Sequence, residues 1–406
     1  MRAVNKATED YIHDNMYGDV RVLALKSRGT HGVDLDYALD QIAGRQTARR
    51  KLPSWSRVEG IIYPPHVSLE QCSSEKTAVY KASLSARLCG RGTLVDLTGG
   101  FGVDFVYMSP HFLRAVYVER QEGLCETARR NFRVLGLDNA TIFNVSAEDY
   151  LRDMTYADVI YLDPSRRGEG GRRKYAMEDC SPDVVGMKEL LLSKSTHVIV
   201  KLSPMLDWRS AASALGNSVS EVHVVAVGNE CKELVIVMTR EYAGNIRMFC
   251  VNDSDIVSFD VRHGGERYVL PCSYGVEGLC EEDLHVRPLY LYEPNVSIMK
   301  AGCYGYVEQK YGVKEISACS HLFVSAERLD GFPGRRFKVE TVTGMSGRAA
   351  VKALSGIGQA NIAARNFPMT VAALRKRLRL REGGDVYIFA TTLSGKRHVL
   401  LICTKA

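Results

Sequence analysis

The sequence predicts a doubly wound α/β domain with a seven-stranded, mostly parallel sheet that ends in an antiparallel strand. From residue 93 onward short apolar runs alternate with amphipathic stretches, and the first five runs are separated by segments long enough for helices. This βαβ rhythm is typical of a parallel sheet covered on both faces. The last two runs are joined only by residues 228–232, and so short a link predicts an antiparallel hairpin. The runs are TLVDL (93–97), AVYVE (115–119), TIFNV (141–145), DVIYLD (158–163), HVIVKL (197–202), EVHVVAV (221–227) and ELVIVM (233–238).

A chain of 406 residues is too long for one ordinary core, so several domains are expected. The residues before the first strand show helical spacing, for example in Asp34–Ala43. The sequence therefore predicts four parts. They are a helical N-terminal region (1–85), the α/β core (86–241), a small α+β unit (242–330) and a basic α+β end (331–406).

The composition predicts a cytoplasmic protein that neither enters a membrane nor binds a metal. No run of 18 apolar residues occurs, and the polar N-terminus does not read as a secretory signal. The 11 cysteines are scattered without a CxxC pair, which suits free thiols in a reducing compartment. The histidines lack metal-ligand spacing. No obligate protein partner is evident.

The positive charge is concentrated at the end of the chain. Residues 331–406 hold 14 lysines and arginines against 3 acidic residues, whereas the whole chain has a net charge of +6. Such clustering indicates contact with a polyanion, most plausibly nucleic acid. The alternative is an ordinary solvated charged surface.

A glycine-rich turn follows the first predicted strand and opens a helix. It reads Asp96-Leu97-Thr98-Gly99-Gly100-Phe101-Gly102-Val103-Asp104. Glycines there let the backbone approach a ligand closely, with helix N-terminal N–H groups facing it. Glu119 ends the next strand, where a carboxylate can grip a ribose diol. Ser146 and Ala147 follow the third strand.

This arrangement resembles the class I S-adenosylmethionine-dependent methyltransferases. The resemblance implies that the loop from Asp96 holds the methionine part of the cofactor, Glu119 the ribose, and Ser146-Ala147 the adenine edge. The implied cofactor residues are Ser73, Asp96, Thr98, Gly99, Gly100, Gly102, Asp104, Glu119, Ser146 and Ala147. Thr98 stands where the family has its first glycine, and Ser146 where it often has Asp. The alternatives are a nicotinamide dinucleotide enzyme, which would favour a full GxGxxG and a parallel last strand, and a tight turn without a ligand.

The segment Gln71–Ala78 is similar to the stretch before the first strand of the cap-guanosine N2 methyltransferases, which helps to close the cofactor site. Ser73 lies where that family has Thr, and Glu75 matches its Glu. This distant similarity spans about residues 70–165. Helix capping by Ser73-Ser74-Glu75 is an equally good interpretation.

The fourth strand ends in Asp163-Pro164-Ser165-Arg166, which resembles the Asp-Pro-Pro-aromatic motif of enzymes that methylate exocyclic amines of bases. The resemblance implies that Asp163 and the Pro164 carbonyl orient the amine, while positioning supplies most of the catalysis. Ser165 replaces the second proline. Arg166 replaces the aromatic residue and could stack on a base in its place.

Basic residues continue after this motif, at Arg167, Arg172, Arg173 and Lys174, around a glycine-rich stretch. They predict a basic loop over the acceptor site, with a solvent loop as the alternative. Lys201, near the end of the fifth strand, could line the acceptor cleft or lie at the surface as strand-end lysines usually do.

The basic end of the chain resembles the THUMP-like tail of an uncharacterised family of bacterial methyltransferases. The resemblance implies that residues 242–330 include the small ferredoxin-like unit of that family. A basic helix is predicted over Val371–Leu380, with Gly383-Gly384 as its stop. By analogy with THUMP domains, the resemblance implies RNA binding. The predicted phosphate contacts are Arg365, Arg375, Lys376, Arg377, Arg379 and Arg381.

These features together predict a methyltransferase that acts on an exocyclic base nitrogen of tRNA or rRNA. One rival is a non-catalytic RNA-binding protein that keeps the fold, motivated by the Ser165-Arg166 departure. Another is methylation of a small molecule or a protein.

Overall fold

The computed structural model describes residues 4–26, 31–64, 66–166, 177, 180–264, 267–269 and 278–406. The chain forms two compact units. One consists of Met1–Val227 with Lys232–Gly244, and the other of Gly228–Cys231 with Asn245–Ala406. None of the helices within the described ranges is long and apolar enough to cross a membrane.

The helices of the described residues are α1 (Lys6–Asn15), α2 (Val20–Lys26), α3 (Leu35–Lys51), α4 (His66–Gln71), α5 (Glu75–Leu88), α6 (Val103–Met108), α7 (Glu122–Val134), α8 (Ala147–Asp153), α9 (Val184–Ser193), α10 (Trp208–Leu215), α11 (Val296–Ala301), α12 (Tyr304–Tyr311), α13 (Arg348–Leu354) and α14 (Val371–Leu378).

The strands are β1 (Thr93–Asp96), β2 (Arg114–Val118), β3 (Ala140–Phe143), β4 (Ala157–Leu162), β5 (Ser165–Arg166), β6 (Cys180–Ser181), β7 (Ser195–Leu202), β8 (Val219–Val227), β9 (Glu230–Thr239), β10 (Ile246–Asn252), β11 (Asp255–Gly264), β12 (Arg267–Val269), β13 (Tyr290–Pro294), β14 (Lys314–Glu315), β15 (Phe323–Ser325), β16 (Gly334–Gly344), β17 (Asn361–Ala364), β18 (Tyr387–Thr392) and β19 (His398–Lys405).

The sheet of the first unit has the strand order β3-β2-β1-β4-β7-β9-β8. β1 pairs in parallel with β2 and β4, while β7 is parallel to β4 and antiparallel to β9. Gly228 and Asn229 connect β8 to β9, and both have positive φ angles of 58° and 60°. A two-residue connection with this backbone matches the twist of a hairpin. The predicted mostly parallel sheet with an antiparallel last strand is confirmed.

Helices precede the sheet, as predicted. Asp34 caps α3, with its side chain accepting a hydrogen bond from the Tyr37 N–H, and the basic last turn of α3 complements the helix dipole. The Ser74 hydroxyl caps α5 by accepting from the Thr77 N–H. The cap is therefore Ser74, which leaves the side chain of its neighbour Ser73 available for other contacts.

The second unit contains a seven-stranded sheet of order β14-β15-β13-β16-β19-β18-β17. Leu374 of α14 is fully buried in an apolar cluster with Ile388 and Leu400 of this sheet. The helix is shorter than predicted, because it ends at Leu378 and Arg379 adopts the left-handed conformation at its C-cap. Gly383 and Gly384 also have positive φ angles, but they lie in the turn that follows and are not the helix stop.

Candidate active site

A cavity of about 640 Å³ lies where β1, β2 and β4 end. The carboxyl edge of a parallel sheet is where this kind of fold binds ligands. Its lining includes Ser68, Gln71, Cys72, Ser73, the whole loop from Asp96 to Asp104, Glu119, Arg120, Gln121, Leu124, Ala147, Glu148, Tyr161, Asp163, Ser165, Ser181 and Pro182. Most of the predicted cofactor residues therefore line one cavity.

The glycine loop is shaped by strand β2 beneath it. A Cβ atom at Gly99 would lie 2.1 Å from Cε2 of the buried Tyr117, so only glycine fits there. Gly100 and Gly102 have φ angles of +55° and +85°, which glycine adopts readily. The Tyr117 hydroxyl donates to the Gly100 carbonyl at 2.5 Å and fixes the loop on the strand. The loop thus presents bare backbone to the cavity.

Glu119 is held by two backbone donors. Its Oε2 accepts from the Gly100 N–H at 3.0 Å and its Oε1 from the Gln121 N–H at 2.8 Å. Each carboxylate oxygen can accept more than one hydrogen bond, so both keep acceptor capacity toward the cavity. This geometry suits a vicinal diol, as the sequence predicts for a ribose.

Asp96 anchors the start of the loop. Its side chain is buried, and Oδ1 accepts from the Thr98 N–H at 2.9 Å. Burial raises the pKa of Asp96 well above its usual range, although the hydrogen bond from Thr98 opposes the rise. Its contact stabilises the turn from β1 into the loop.

Asp104, at the start of α6, accepts two hydrogen bonds and forms one ion pair. Oδ2 accepts from Ser73 at 2.8 Å and from Tyr161 at 2.7 Å. Oδ1 is buried, lies 3.2 Å from Lys81 Nζ and receives no hydrogen bond. Burial tends to raise the pKa of Asp104. Lys81, Lys201 and the two hydroxyls lower it by more than burial raises it, so the pKa lies below its usual value.

Lys81 of α5 links this cluster to the antiparallel end of the sheet. Its side chain is completely buried and donates to both carboxylate oxygens of Glu233, at 2.6 and 2.7 Å. It also donates to the Ser73 hydroxyl at 3.1 Å. A buried ion pair of this kind fixes the relative position of the elements that carry it.

Asp163 lies where β4 meets the cavity. Its backbone N–H donates to Thr98 Oγ1 at 2.6 Å, and its Oδ2 accepts from Lys201 Nζ at 2.5 Å. The Asp163 side chain is 36% exposed, whereas that of Lys201 is only 12% exposed. The interpretation of Lys201 as a solvated strand-end lysine is therefore wrong.

The other predicted acceptor residues are placed differently. Pro164 is buried and is not part of the cavity lining, while Ser165 lines it and donates to the Ser181 carbonyl. Arg166 lies on β5, which pairs with β6. Arg167, Arg172, Arg173 and Lys174 lie outside the described residues.

Of the two residues predicted to contact the adenine, only Ala147 lines the cavity. Ser146 caps α8, since its hydroxyl accepts from the Asp149 N–H at 3.1 Å, and it does not line the cavity. Ala147 and Glu148 do line it. The Ser146 side chain is engaged by the helix, so its predicted cofactor contact is left to its neighbours or its backbone.

The predicted basic residues of the second unit fall into two groups. Arg365 donates to the buried Glu293 at 2.8 Å, and Arg375 donates to the Ala360 carbonyl at 3.1 Å. These two have structural partners. The side chains that stay exposed on and after α14 are those of Lys376, Arg377, Arg379 and Arg381.

Sequence reasoning missed Lys81, Glu233 and Tyr161. Lys81 gave a weak signal, because it lies among the small and apolar residues Ala78 and Ala82 of α5. Glu233 and Tyr161 gave none, since each sits in an apolar strand and its partner is more than 50 residues away in the chain. Within the described part of the chain no group of three or more potential ligands could hold a metal ion.

Comparisons with known proteins agree with this fold. Residues 334–405 match the THUMP domain-like family and residues 290–333 a ferredoxin-like domain family. The crystal structure of a candidate methyltransferase from Porphyromonas gingivalis W83 is 28% identical, covers 100% of both chains and superposes with a TM-score of 0.82. An uncharacterised S-adenosylmethionine-dependent methyltransferase of Mycobacterium tuberculosis H37Rv is 24% identical over 332 residues, 80% of this chain and 83% of its own. The same figures hold for its counterpart in strain CDC 1551. The class I methyltransferase fold and the THUMP-like end are thus confirmed, and the boundaries predicted at residues 85, 241 and 330 stay predictions.

Proposed function

We propose that this chain, an S-adenosylmethionine-dependent methyltransferase with a class I fold and a THUMP-like end, methylates an exocyclic base nitrogen of structured RNA. The enzyme class and the cofactor rest on the similarity of nearly the whole chain to named methyltransferases. The RNA substrate and the acceptor atom are the proposed part.

The residues of the cavity fit this cofactor. The bare backbone at Gly99 and Gly100 leaves room for a ligand to lie along the loop. Glu119 offers two oxygens to a ribose diol, and Asp104, whose Oδ1 is paired with Lys81 at 3.2 Å, lines the same cavity. When bound, the cofactor supplies an electrophilic methyl group on its sulfonium.

The position of Asp163 is the observation that carries the proposal. It lies on the same cavity as the cofactor loop and is tied to that loop through Thr98. Lys201 donates to Oδ2, which leaves Oδ1 as the proposed acceptor of a hydrogen bond from an NH2 group. Asp163 would hold the amine with its lone pair toward the cavity, which is the positioning that such a reaction requires.

No general base is needed in this scheme. The amine nitrogen attacks as the neutral group, and it loses its extra proton to water after the methyl group has been transferred. Asp163 acts as a hydrogen-bond acceptor throughout. The Pro164 carbonyl is its proposed companion, as the resemblance implies.

The charge of the second unit supports RNA as the polyanion. Exposed cationic side chains at Lys376, Arg377, Arg379 and Arg381 cluster at one end of α14. Such side chains bind phosphates without reading sequence. Two of the predicted contacts, Arg365 and Arg375, have partners within the protein, so the exposed group carries the proposal.

Mass spectrometry of modified nucleosides tests the proposed substrate. Total RNA from cells without the gene should lack one methylated nucleoside that wild-type RNA contains. Wild-type protein and the exposed-loop control Asp138→Ala should restore it, and Asp163→Ala should not. Identical nucleoside profiles with and without the gene would rule RNA out as the acceptor.

A further inference from the structure

We propose that Thr98 and Lys201 form a two-point clamp that positions Asp163 for the acceptor amine. The inference rests on the proposed function, since it takes Asp163 as the residue that meets the acceptor. Thr98 holds the backbone of Asp163 and Lys201 holds its carboxylate. Neither residue has a direct role in bond making here, so both are positioning residues.

The first contact of the clamp, between the Asp163 N–H and Thr98 Oγ1, connects the ends of two neighbouring strands. Thr98 follows β1 and Asp163 follows β4, and these strands are paired in parallel with Asp96 opposite Tyr161. The Asp163 N–H lies beyond the last paired residues and finds its acceptor in Thr98 Oγ1 at 2.6 Å. Thr98 stands where methyltransferases of this class have glycine, which carries no such oxygen. Threonine in place of glycine thus lets the cofactor loop bind the backbone of Asp163 directly.

The carboxylate point comes from the next strand. Leu162 pairs with Val200, so continuation of the register brings Asp163 beside Lys201. β7 is flanked by β4 and β9, and only 12% of the Lys201 side chain is exposed. A lysine confined in this way has few alternative rotamers. Its hydrogen bond at 2.5 Å therefore fixes the orientation of the Asp163 carboxylate.

Lys201 remains an ammonium group in this environment. Burial alone would lower its pKa, but the carboxylates of Asp163, Asp104 and Glu233 raise it by more, so the pKa lies above its usual value. A charged lysine cannot accept the proton of the methylated amine. Its proposed contribution is to hold Oδ2 in place and to leave Oδ1 for the acceptor amine.

The clamp predicts which kinetic constant changes when one of its two contacts is lost. Loss of the Lys201 contact frees the rotation of the Asp163 carboxylate, and loss of the Thr98 contact lets the Asp163 backbone shift. A misplacement of about 1 Å can cost on the order of 100-fold in rate. The loss should appear in kcat, with little change in the affinity for the cofactor.

Four variants test the clamp. Thr98→Val removes the acceptor oxygen at nearly constant volume, and Thr98→Ser keeps it. Lys201→Met removes the ammonium group, and Lys232→Met changes an exposed lysine on the neighbouring strand β9. For each, kcat is measured on RNA from cells without the gene, the Kd of S-adenosylhomocysteine by calorimetry, and the Asp163 conformation by crystallography with that product.

We expect kcat of Thr98→Val and Lys201→Met to fall by about 10- to 100-fold, with Kd changed by less than about threefold. Their crystals should show Asp163 displaced or in several rotamers. Thr98→Ser, which keeps the hydroxyl, should retain a higher kcat than Thr98→Val together with the wild-type conformation of Asp163, and Lys232→Met should match the wild type. Asp163 in its wild-type conformation in both variants would overturn the clamp. The clamp would also be overturned if cofactor affinity fell as much as kcat, or if unfolding of the variants accounted for the loss of kcat. A wild-type protein inactive on RNA would refute the substrate alone, because crystallography still decides on the clamp.

Discussion

Gly99 shows how a single backbone position shapes the site. A Cβ atom there would come within 2.1 Å of the Tyr117 ring, which is buried between Phe105 and Phe132 and cannot move aside. We expect Gly99→Ala to lower the free energy of unfolding by about 1–3 kcal/mol because the loop or the ring must shift. It should also weaken cofactor binding. Thermal unfolding and calorimetry measure the two effects.

Gly123 provides the matched control for that substitution. It lies in α7, and a Cβ atom there would meet nothing within 4 Å. Gly123→Ala should leave cofactor binding unchanged and raise stability by up to about 1 kcal/mol, since alanine favours the helix. Equal stability of the Gly99→Ala and wild-type proteins would contradict the close approach of loop and strand.

At the scale of elements, Lys81 connects α5 with β9 and with the start of α6. Lys81→Met would leave the carboxylates of Glu233 and Asp104 buried without their ammonium partner. We expect a loss of about 3–5 kcal/mol in the free energy of unfolding at pH 7.5. Denaturant unfolding measures it.

The pH dependence of that variant has a definite sign. Carboxylates that lose a buried cation have raised pKa values in the folded state, so they favour folding when protonated and oppose it when charged. Lys81→Met should therefore recover stability as the pH falls from 7.5 toward 5. The exposed Lys76→Met on the same helix should show neither effect. A Lys81→Met protein as stable as the control at pH 7.5 would refute this role of the ion pair.

The end of α14 is the element proposed to contact RNA. Reversal of Lys376, Arg377 and Arg379 to glutamate should lower RNA affinity more than tenfold at about 0.1 M salt. It should also reduce the salt slope by roughly 2–3, because each lost phosphate contact removes about 0.7–0.9. Filter binding over a range of salt concentrations measures both quantities.

Two controls separate binding from folding in that experiment. Lys314→Glu, on β14 of the same unit, should change RNA affinity by less than about threefold. Arg365→Ala should lower stability instead, because it leaves the buried Glu293 with Arg335 as its remaining partner. An unchanged salt slope in the triple variant would show that the exposed cations of α14 do not contact RNA.

For the molecule as a whole, the sequence predicted what depends on local pattern. The strands and the hairpin connection follow from apolar runs and link lengths, and the glycine loop and Glu119 from their places at strand ends. The contacts that couple the strands were not predictable. Lys81 and Glu233 are 152 residues apart, and the sequence around neither residue predicts their ion pair.

Where the predictions were wrong, the cause was mostly contacts between residues distant in the sequence. The sequence leaves Lys201 open between the cleft and the surface, whereas in the fold β7 is an interior strand and the Lys201 side chain is only 12% exposed. α14 ends early because Arg379, a residue without glycine's freedom, takes the left-handed conformation. Arg365 reads as a free cation in the sequence, but the buried Glu293 engages it.

Calorimetry of the full chain with S-adenosylhomocysteine decides whether this cavity binds the cofactor. We expect one site, with binding weakened by about 10- to 100-fold in Glu119→Gln, since hydrogen bonds to a charged group contribute about 1.5–3 kcal/mol. Glu122→Gln, exposed on α7, should bind as the wild type does. Absence of binding to the wild-type chain, or equal affinity in Glu119→Gln, would contradict the assignment of this cavity to the cofactor.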